Sequence, residues 1–318
     1  MNYPDTQFIR ALGMILIINS HLDDFYPIPN IGTGGALGNS IFFCLSAFGI
    51  YLSQQKKGKP FSEWFQGRIS RIYPSMWIVL IFLEIPILLN QGLLKAHYIT
   101  TFIGKFFNPE YWFLQVLLVY YMLSFFLLKP DQSKKLLSIC LGLGILYFVL
   151  YFSWVDLSKW SIEDLPFKLI HYFMIFLFGI YLASKSKAIV YTGLHNYLVL
   201  LFLVALIYGH KFLMTQGLFP EFQFIQQTAM YPIIYYLLKI SRTPFLLSML
   251  GKSNLISSTV QFLSNHTLEL YIIQETIVQP VYEFKFPFPL NVIAFIFLIC
   301  VFSAIVNRLA EIIREKIT

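Results

Sequence analysis

The sequence predicts an all-α protein, a polytopic membrane helical bundle of about ten transmembrane helices with both termini cytoplasmic. Three observations lead there. The 318 residues are 57% hydrophobic and only 12% charged, with mean hydropathy +0.67, and soluble domains carry about twice that charge fraction. Long apolar stretches recur from end to end, as in Ile78–Leu89, Leu136–Phe152 and Val292–Val306. A lipid-exposed backbone must satisfy its hydrogen bonds within each segment, which selects helices. The net charge of +7 then reads as loop lysines and arginines that set topology. Membrane lipid is the expected surrounding, and no nucleic-acid partner is expected.

Runs of about 20 apolar residues fall near 7–24, 36–54, 72–90, 110–128, 135–154, 167–184, 194–209, 225–240, 266–282 and 288–308. The first is expected to be a retained span. His21-Leu22-Asp23-Asp24 follows it where small residues would mark a signal-peptide cleavage site. Pro232 and Pro280 interrupt the eighth and ninth runs, so kinks are expected there. Cys44, Cys140 and Cys300 each lie within an apolar run, with no metal-type spacing and no reason to pair them. A single membrane domain over 1–318 is expected, with no soluble domain and no internal repeat of the kind many transporters show.

Charge sets the orientation. With the N-terminus inside, sixteen of the 23 basic residues fall on cytoplasmic segments and six on outer ones, with Arg10 left inside the first span. Residues 55–71 are basic and carry Trp64 and Phe65, which suits an amphipathic interfacial segment. Residues 243–265 alternate apolar and small polar groups without the length to span. Residues 91–109, with His97, Phe102, Phe106 and Phe107, are expected to re-enter the membrane from outside.

The chemistry begins with Arg10 and His21. Ionisable groups at membrane depth are costly and mark functional sites by default. Eleven residues of helix make about three turns, roughly 16 Å of rise, and return to nearly the same face. One face thus carries a fixed cation near the cytoplasmic surface and an imidazole toward the outer one. Asp24 shares the face of His21 if the helix continues that far, where a carboxylate would fix the imidazole tautomer. Arg68 and Arg71, three apart before the third span, join Arg10 at the cytoplasmic surface. Three guanidinium groups there suit a polyanion such as a chain of phosphates. Trp112 and Tyr111 open a span, where they serve an aromatic belt or stack on a sugar ring. Glu84 and Glu275 are acids within apolar runs. His171 fits a helix–helix hydrogen bond, and Ser46 fits small-residue packing. No metal site is expected.

These motifs resemble the membrane acyltransferase-3 family. Arg10 and His21 match its arginine–ten–histidine first span, and Phe42-Phe43-Cys44-Leu45-Ser46-Ala47-Phe48 is similar to its Phe-Phe-x-x-Ser-Gly-Phe pattern. Arg68-Ile69-Ser70-Arg71-Ile72-Tyr73-Pro74 resembles its arginine-rich approach to the third span. Tyr111-Trp112-Phe113-Leu114 and Thr267-Leu268-Glu269-Leu270-Tyr271-Ile272-Ile273-Gln274 follow its later signatures in order. Ala47 stands where the family usually has glycine, and Gln274 where many members carry histidine.

The resemblance implies transfer of an acyl group, usually acetyl, from cytoplasmic acyl-coenzyme A to a carbohydrate hydroxyl of a surface polysaccharide or lipid-linked glycan. It implies a multi-pass protein of the cell membrane, and the composition fits a bacterial inner membrane. On that reading Arg10, Arg68 and Arg71 hold the phosphates of the acetyl-CoA donor. His21 and Glu269 are the catalytic pair, His21 acting as general base or as an acylated intermediate. Asp24, Trp112 and Tyr271 face the acceptor. The alternative is a glycan or small-molecule transporter or flippase that uses Arg10 and His21 as a gate or proton relay. A homo-oligomer is left open.

Overall fold

The computed structural model describes residues 4–57, 60–90, 111–127, 133–252 and 254–317. Of the described residues 84% are helical and none forms a strand, so the class is all-α. The re-entrant segment expected at 91–109 lies outside the described residues. The helices are α1 (Pro4–Ser20), α2 (Gly35–Lys57), α3 (Phe61–Val79), α4 (Ile85–Asn90), α5 (Trp112–Leu127), α6 (Ser133–Trp154), α7 (Phe167–Ser184) and α8 (His195–Thr215). They continue as α9 (Phe224–Thr228), α10 (Met230–Ser241), α11 (Pro244–Gly251), α12 (Leu255–Asn265), α13 (Thr267–Glu283) and α14 (Leu290–Ile317).

Helix occupies each of the ten expected stretches, but fewer are long and apolar enough to cross a membrane. Six of the described helices are: Pro29–Gln54, Phe61–Ile87, Lys135–Trp154, Phe167–Ser184, His195–Thr215 and Leu290–Lys316. A seventh arises if Pro220–Ser241 and Pro244–Gly251, bent by 64°, form one span. Thr6–Ser20 and Trp112–Phe126 are apolar but shorter. Helix α13 is 17 residues long and carries Glu269, Glu275 and Glu283. Its chemistry, not only its length, separates it from an ordinary span.

Two expectations change in detail. The interfacial segment and third span merge, because α3 begins at Phe61 and runs without a break into a π-helical turn at Leu80–Glu84 and then α4. Pro60, just outside the helix, marks its start, and Pro74 is carried within it. Glu84 closes the π turn, 8% exposed. Pro280 does not end α13. The break near Pro232 falls at Ala229 instead, between α9 and α10. Pro232 has no N–H to offer the carbonyl of Thr228, one turn back.

The chain forms two compact units. The first comprises Met1–Ile9, Ser40–Gly58 and Leu123–Ser258. Within it α2 and α7 approach at backbone level, since a Cβ on Gly179 would run into the Cys44 carbonyl. Small residues at such crossings let helices close in where no hydrophobic effect drives them together. Phe43 packs on Tyr172 with ring centroids 5.0 Å apart, so the Phe42–Phe48 motif does packing work here. His171 Nε2 lies 3.4 Å from Ser40 Oγ, which also donates to Met230 Sδ at 3.1 Å. That is the helix–helix bonding expected of this histidine. Three buried glutamines then cap loose carbonyls. Gln227 accepts from the Tyr147 hydroxyl and donates to Ile162 O, both at 2.7 Å. Gln223 donates to Lys159 O at 2.9 Å and Gln226 to Ile207 O at 2.7 Å. Buried polar groups need such partners.

The second unit comprises Arg10–Asn39, Lys59–Met122 and Thr259–Thr318. In it α3, α13 and α14 pack side by side. The start of α2 returns against α1 at small residues, where a Cβ on Gly38 would sit 2.7 Å from Gly13 O and 2.6 Å from Ile17. Gly34 supplies the left-handed turn before α2, at φ +106°.

Gly179→Ala should destabilise the protein by about 1–3 kcal/mol through overpacking against backbone. Gly142→Ala, on a face of α6 with nothing within 4 Å, should be neutral or stabilise by about 0.5–1 kcal/mol. Thermal unfolding of both variants in one detergent checks the pair, and equal losses would contradict the assigned contact.

Candidate active site

The site is built in the second unit, at the end of α1. There the helix closes with Ser20 Oγ on Ile17 O at 2.7 Å, and the chain turns as the His21 N–H bonds Ile18 O at 3.1 Å. Asn19 then folds the following loop back over this end. Its Nδ2 donates to Ile31 O at 2.8 Å and Thr33 O at 2.9 Å, while its Oδ1 accepts from the Tyr26 hydroxyl at 2.8 Å. Burial raises the Tyr26 pKa above its ordinary value, which keeps the hydroxyl a donor. From the other side Asn291 Nδ2 holds Phe25 O at 2.8 Å, and the Phe25 ring packs on Tyr282 and Phe295. An imidazole between two such clamps has little freedom.

His21 meets Glu275 of α13, with Nε2 3.2 Å from Oε1. The side chains are 33% and 16% exposed, enclosed enough for a strong interaction yet open to a substrate. The carboxylate expected beside His21 was Asp24. Helix α1 stops at Ser20 and residues 23–25 form a separate 3-10 turn, so Asp24 does not share the His21 face and is exposed. The nearby Asp23 contributes charge at His21.

One turn before Glu275, Tyr271 lies buried and coupled electrostatically to Glu275 and Tyr111. Its hydroxyl is hydrogen-bonded to the Phe113 backbone, and its ring sits 5.3 Å from that of Phe113. The start of α5 therefore meets α13 beside the His21 pair, bringing Tyr111, Phe113, Tyr271, Glu275 and His21 together. Trp112 is half-buried and edge-on to Phe113 at 6.1 Å, at the margin of this group.

The arginines form a second group. Arg10 interacts electrostatically with Arg71 and the Tyr121 hydroxyl, and Arg68 with the same two residues. Arg68 lies over the Trp64 ring at 5.5 Å, and Trp64 meets Tyr121 edge-on at 6.3 Å. A cation on an aromatic face is held in place while its charge stays available. Among the described residues no carboxylate pairs with Arg10 or Arg71. Three like charges gathered at a half-buried place are unfavourable alone and favourable around an anion.

Glu269 is placed apart from His21. It is 3% exposed, accepts from Ser75 Oγ at 2.7 Å, and has Arg314 Nη2 of α14 at 3.8 Å. Ser75 follows Arg71 by one turn, so Glu269 belongs to the arginine end of α3. Six residues separate it from Glu275, about 9 Å of helix rise. The described structure thus joins His21 to Glu275 and Glu269 to Ser75 and Arg314. Glu275 was visible in sequence as an acid inside an apolar run, and the cost of such a residue was the signal for a basic partner. Trp64 was legible too, four residues before Arg68 on one helix face. Tyr121 carried no sequence signal among so many aromatic residues. Among the described residues no group of three or more His, Cys, Asp or Glu side chains is placed to hold a metal ion.

A family model described as an acyltransferase domain, of the acyltransferase-3 type, matches residues 3–308. No curated protein and no solved structure matches the chain.

The two acids should respond differently to removal. Glu269→Ala leaves Ser75 and Arg314 without their shared acceptor and should cost about 1–3 kcal/mol of stability. Asp24→Asn should stay within about 0.5 kcal/mol, as exposed substitutions do. Unfolding temperatures of the two variants decide it.

Proposed function

The chain belongs to the acyltransferase-3 family, and we propose that this membrane acyltransferase moves an acyl group, in the first instance acetyl, from cytoplasmic acyl-coenzyme A to a hydroxyl of a surface polysaccharide or lipid-linked glycan. One observation carries the reading. A cluster of arginines, with Arg71 in electrostatic reach of both Arg10 and Arg68, lies about three turns before the end of α1, and a partly open histidine–carboxylate pair lies just past that end. Coenzyme A has the matching layout, phosphates at one end and a thioester at the end of a flexible arm. The roughly 16 Å of helix between Arg10 and His21 suits the length of that arm. The excess of basic residues on the expected inner segments supports a cytoplasmic arginine end.

In this scheme Arg10, Arg68 and Arg71 grip the donor phosphates, guanidinium being suited to them in charge and fork geometry. The thioester carbonyl then sits by His21. A sugar hydroxyl is too weak an acid to attack unaided, so His21 takes its proton as the oxygen adds to the carbonyl. The tetrahedral intermediate collapses, the C–S bond breaks, and the imidazolium returns the proton to the leaving thiolate. Glu275 on Nε2 sets the tautomer, leaving Nδ1 to accept the proton, and stabilises the imidazolium while it lasts. The same role falls to the carboxylate in the Ser-His-Asp arrangement. Glu269 acts at a distance from His21, tying α3 and α14 to α13 beside the arginines. Tyr271 and Trp112 border the acceptor side, where rings suit the apolar faces of a sugar.

Membranes carrying the chain should transfer radiolabel from acetyl-coenzyme A to glycan. His21→Ala should abolish the transfer at unchanged expression, and Glu275→Gln should lower kcat by about 10²–10⁴-fold. Undiminished labelling by His21→Ala would remove the histidine from the reaction. Arg10→Ala or Arg71→Ala should raise the donor KM with a smaller effect on kcat. A rise confined to the acceptor KM would reverse the two ends.

A further inference from the structure

Gln274 is fully buried, at 0% exposure, and neither its amide oxygen nor its amide nitrogen has a hydrogen-bond partner among the described residues. Desolvating such a group without a partner is costly, and native proteins rarely leave one unexplained. The neighbours along α13 give no internal remedy. Leu270, Ile272, Ile273 and Ile277 are apolar and buried. The contrast with Gln223, Gln226 and Gln227 is direct, since every one of those buried amides is bonded.

Position tells what the amide is for. Gln274 precedes Glu275, the partner of His21, by one residue, about 1.5 Å along the axis. It follows Tyr271 by three residues, so the two are neighbours on the helix surface. An unpaired donor and acceptor thus lie at the depth of the histidine pair, about 7–8 Å of rise beyond Glu269 at the arginine end. A primary amide offering both N–H and C=O is complementary to another amide. The arm of coenzyme A carries secondary amides, one of them close to the thioester sulfur.

We propose that Gln274 receives the donor amide nearest the thioester, accepting from its N–H and donating to its C=O, and so fixes the thioester carbonyl at His21. Gln274 is a positioning residue here, and the inference rests on acyl-coenzyme A being the donor. It adds a middle point of attachment between the phosphate grip and the reacting carbonyl. Binding of the arm would then offset the cost of the unpaired amide.

The test pairs a variant with a modified donor. Wild type and Gln274→Met, nearly equal in volume, are assayed with acetyl-coenzyme A and with an analogue in which the amide nitrogen nearest the thioester is replaced by oxygen. Wild type should show a KM about tenfold higher for the analogue, on the order expected for one lost hydrogen bond to a buried amide. Gln274→Met should have a raised KM for acetyl-coenzyme A and no preference between the two donors. Its unfolding temperature without donor should equal or exceed that of wild type, because two unsatisfied atoms are gone. Preserved discrimination in the variant, or a loss confined to the acceptor KM, overturns the assignment. So does a lowered unfolding temperature with donor preference intact, which marks a purely structural amide. Wild type that neither binds nor uses acetyl-coenzyme A overturns the proposed donor and this inference with it. Binding by wild type with an indifferent variant overturns the inference alone.

Discussion

Helix α13 carries two carboxylates through the interior of the second unit, and everything else there is arranged to answer them. An ionised group buried without a partner costs several kcal/mol even after relaxation, so each acid dictates what must stand opposite. Glu269 is met by Ser75 of α3 and Arg314 of α14. Glu275 is met by His21 at the end of α1. Those contacts fix which faces of α1, α3 and α14 turn toward α13. They also divide the unit by depth, with a saturated, buried carboxylate near the arginines and a half-open one beside the imidazole. The saturated acid serves architecture. The open one faces an imidazole, which in the proposed reaction gains and loses a proton.

The arginine group obeys the opposite rule. Arg10, Arg68 and Arg71 feel one another's charge or share Tyr121 between them, and among the described residues no carboxylate pairs with Arg10 or Arg71. Trp64 lies under the Arg68 guanidinium and meets Tyr121 edge-on. A cluster neutralised by glutamates would be stable and inert. One gathered beside aromatic faces suits an incoming anion, which would offset the repulsion between like charges. The chain thus places a group of positive charges about three turns along α1 from the His21–Glu275 pair that stands just past the helix end.

Much of this was legible in the residues themselves. Arg10 and His21 stand out because charge at membrane depth is rare, and periodicity alone puts them about three turns apart. Arg68 and Arg71 follow from spacing, and His171 was read correctly as a packing hydrogen bonder. The partner of His21 was not legible. Asp24 looked right only while α1 was assumed to continue past Ser20, and Asn19 ends that by binding the returning loop at Ile31 and Thr33. Nothing local to residues 7–24 reveals that contact, or that Glu275, some 250 residues away in sequence, supplies the carboxylate. Glu269 and Glu275 are chemically identical in sequence, and only the elements packed on α13 set one between Ser75 and Arg314 and the other against His21. Pro74 and Pro280 are both carried inside helices. Within membranes, neighbouring helices and side chains can take over the hydrogen bond that proline removes, so its presence predicts strain better than it predicts a boundary.

The buried glutamines show how far the same reasoning extends. In the first unit a glutamine at each of three positions closes a specific loop or helix carbonyl, and the polar atoms balance. In the second unit Gln274 stands among isoleucines and a leucine with both amide atoms unanswered. An apolar residue of that size would pack there at lower cost, since replacing an unsatisfied polar group with a hydrophobic one is neutral or favourable. On the proposed reading a bound substrate offsets the imbalance at Gln274. Its depth, level with Glu275 and His21, makes the reacting end of a bound substrate the natural complement. On that reading the second unit offers a ligand two points of attachment, at the arginines and at Gln274. A ligand satisfying both must be anionic at one end and amide-bearing toward the other, and it must present its reactive carbon at the imidazole.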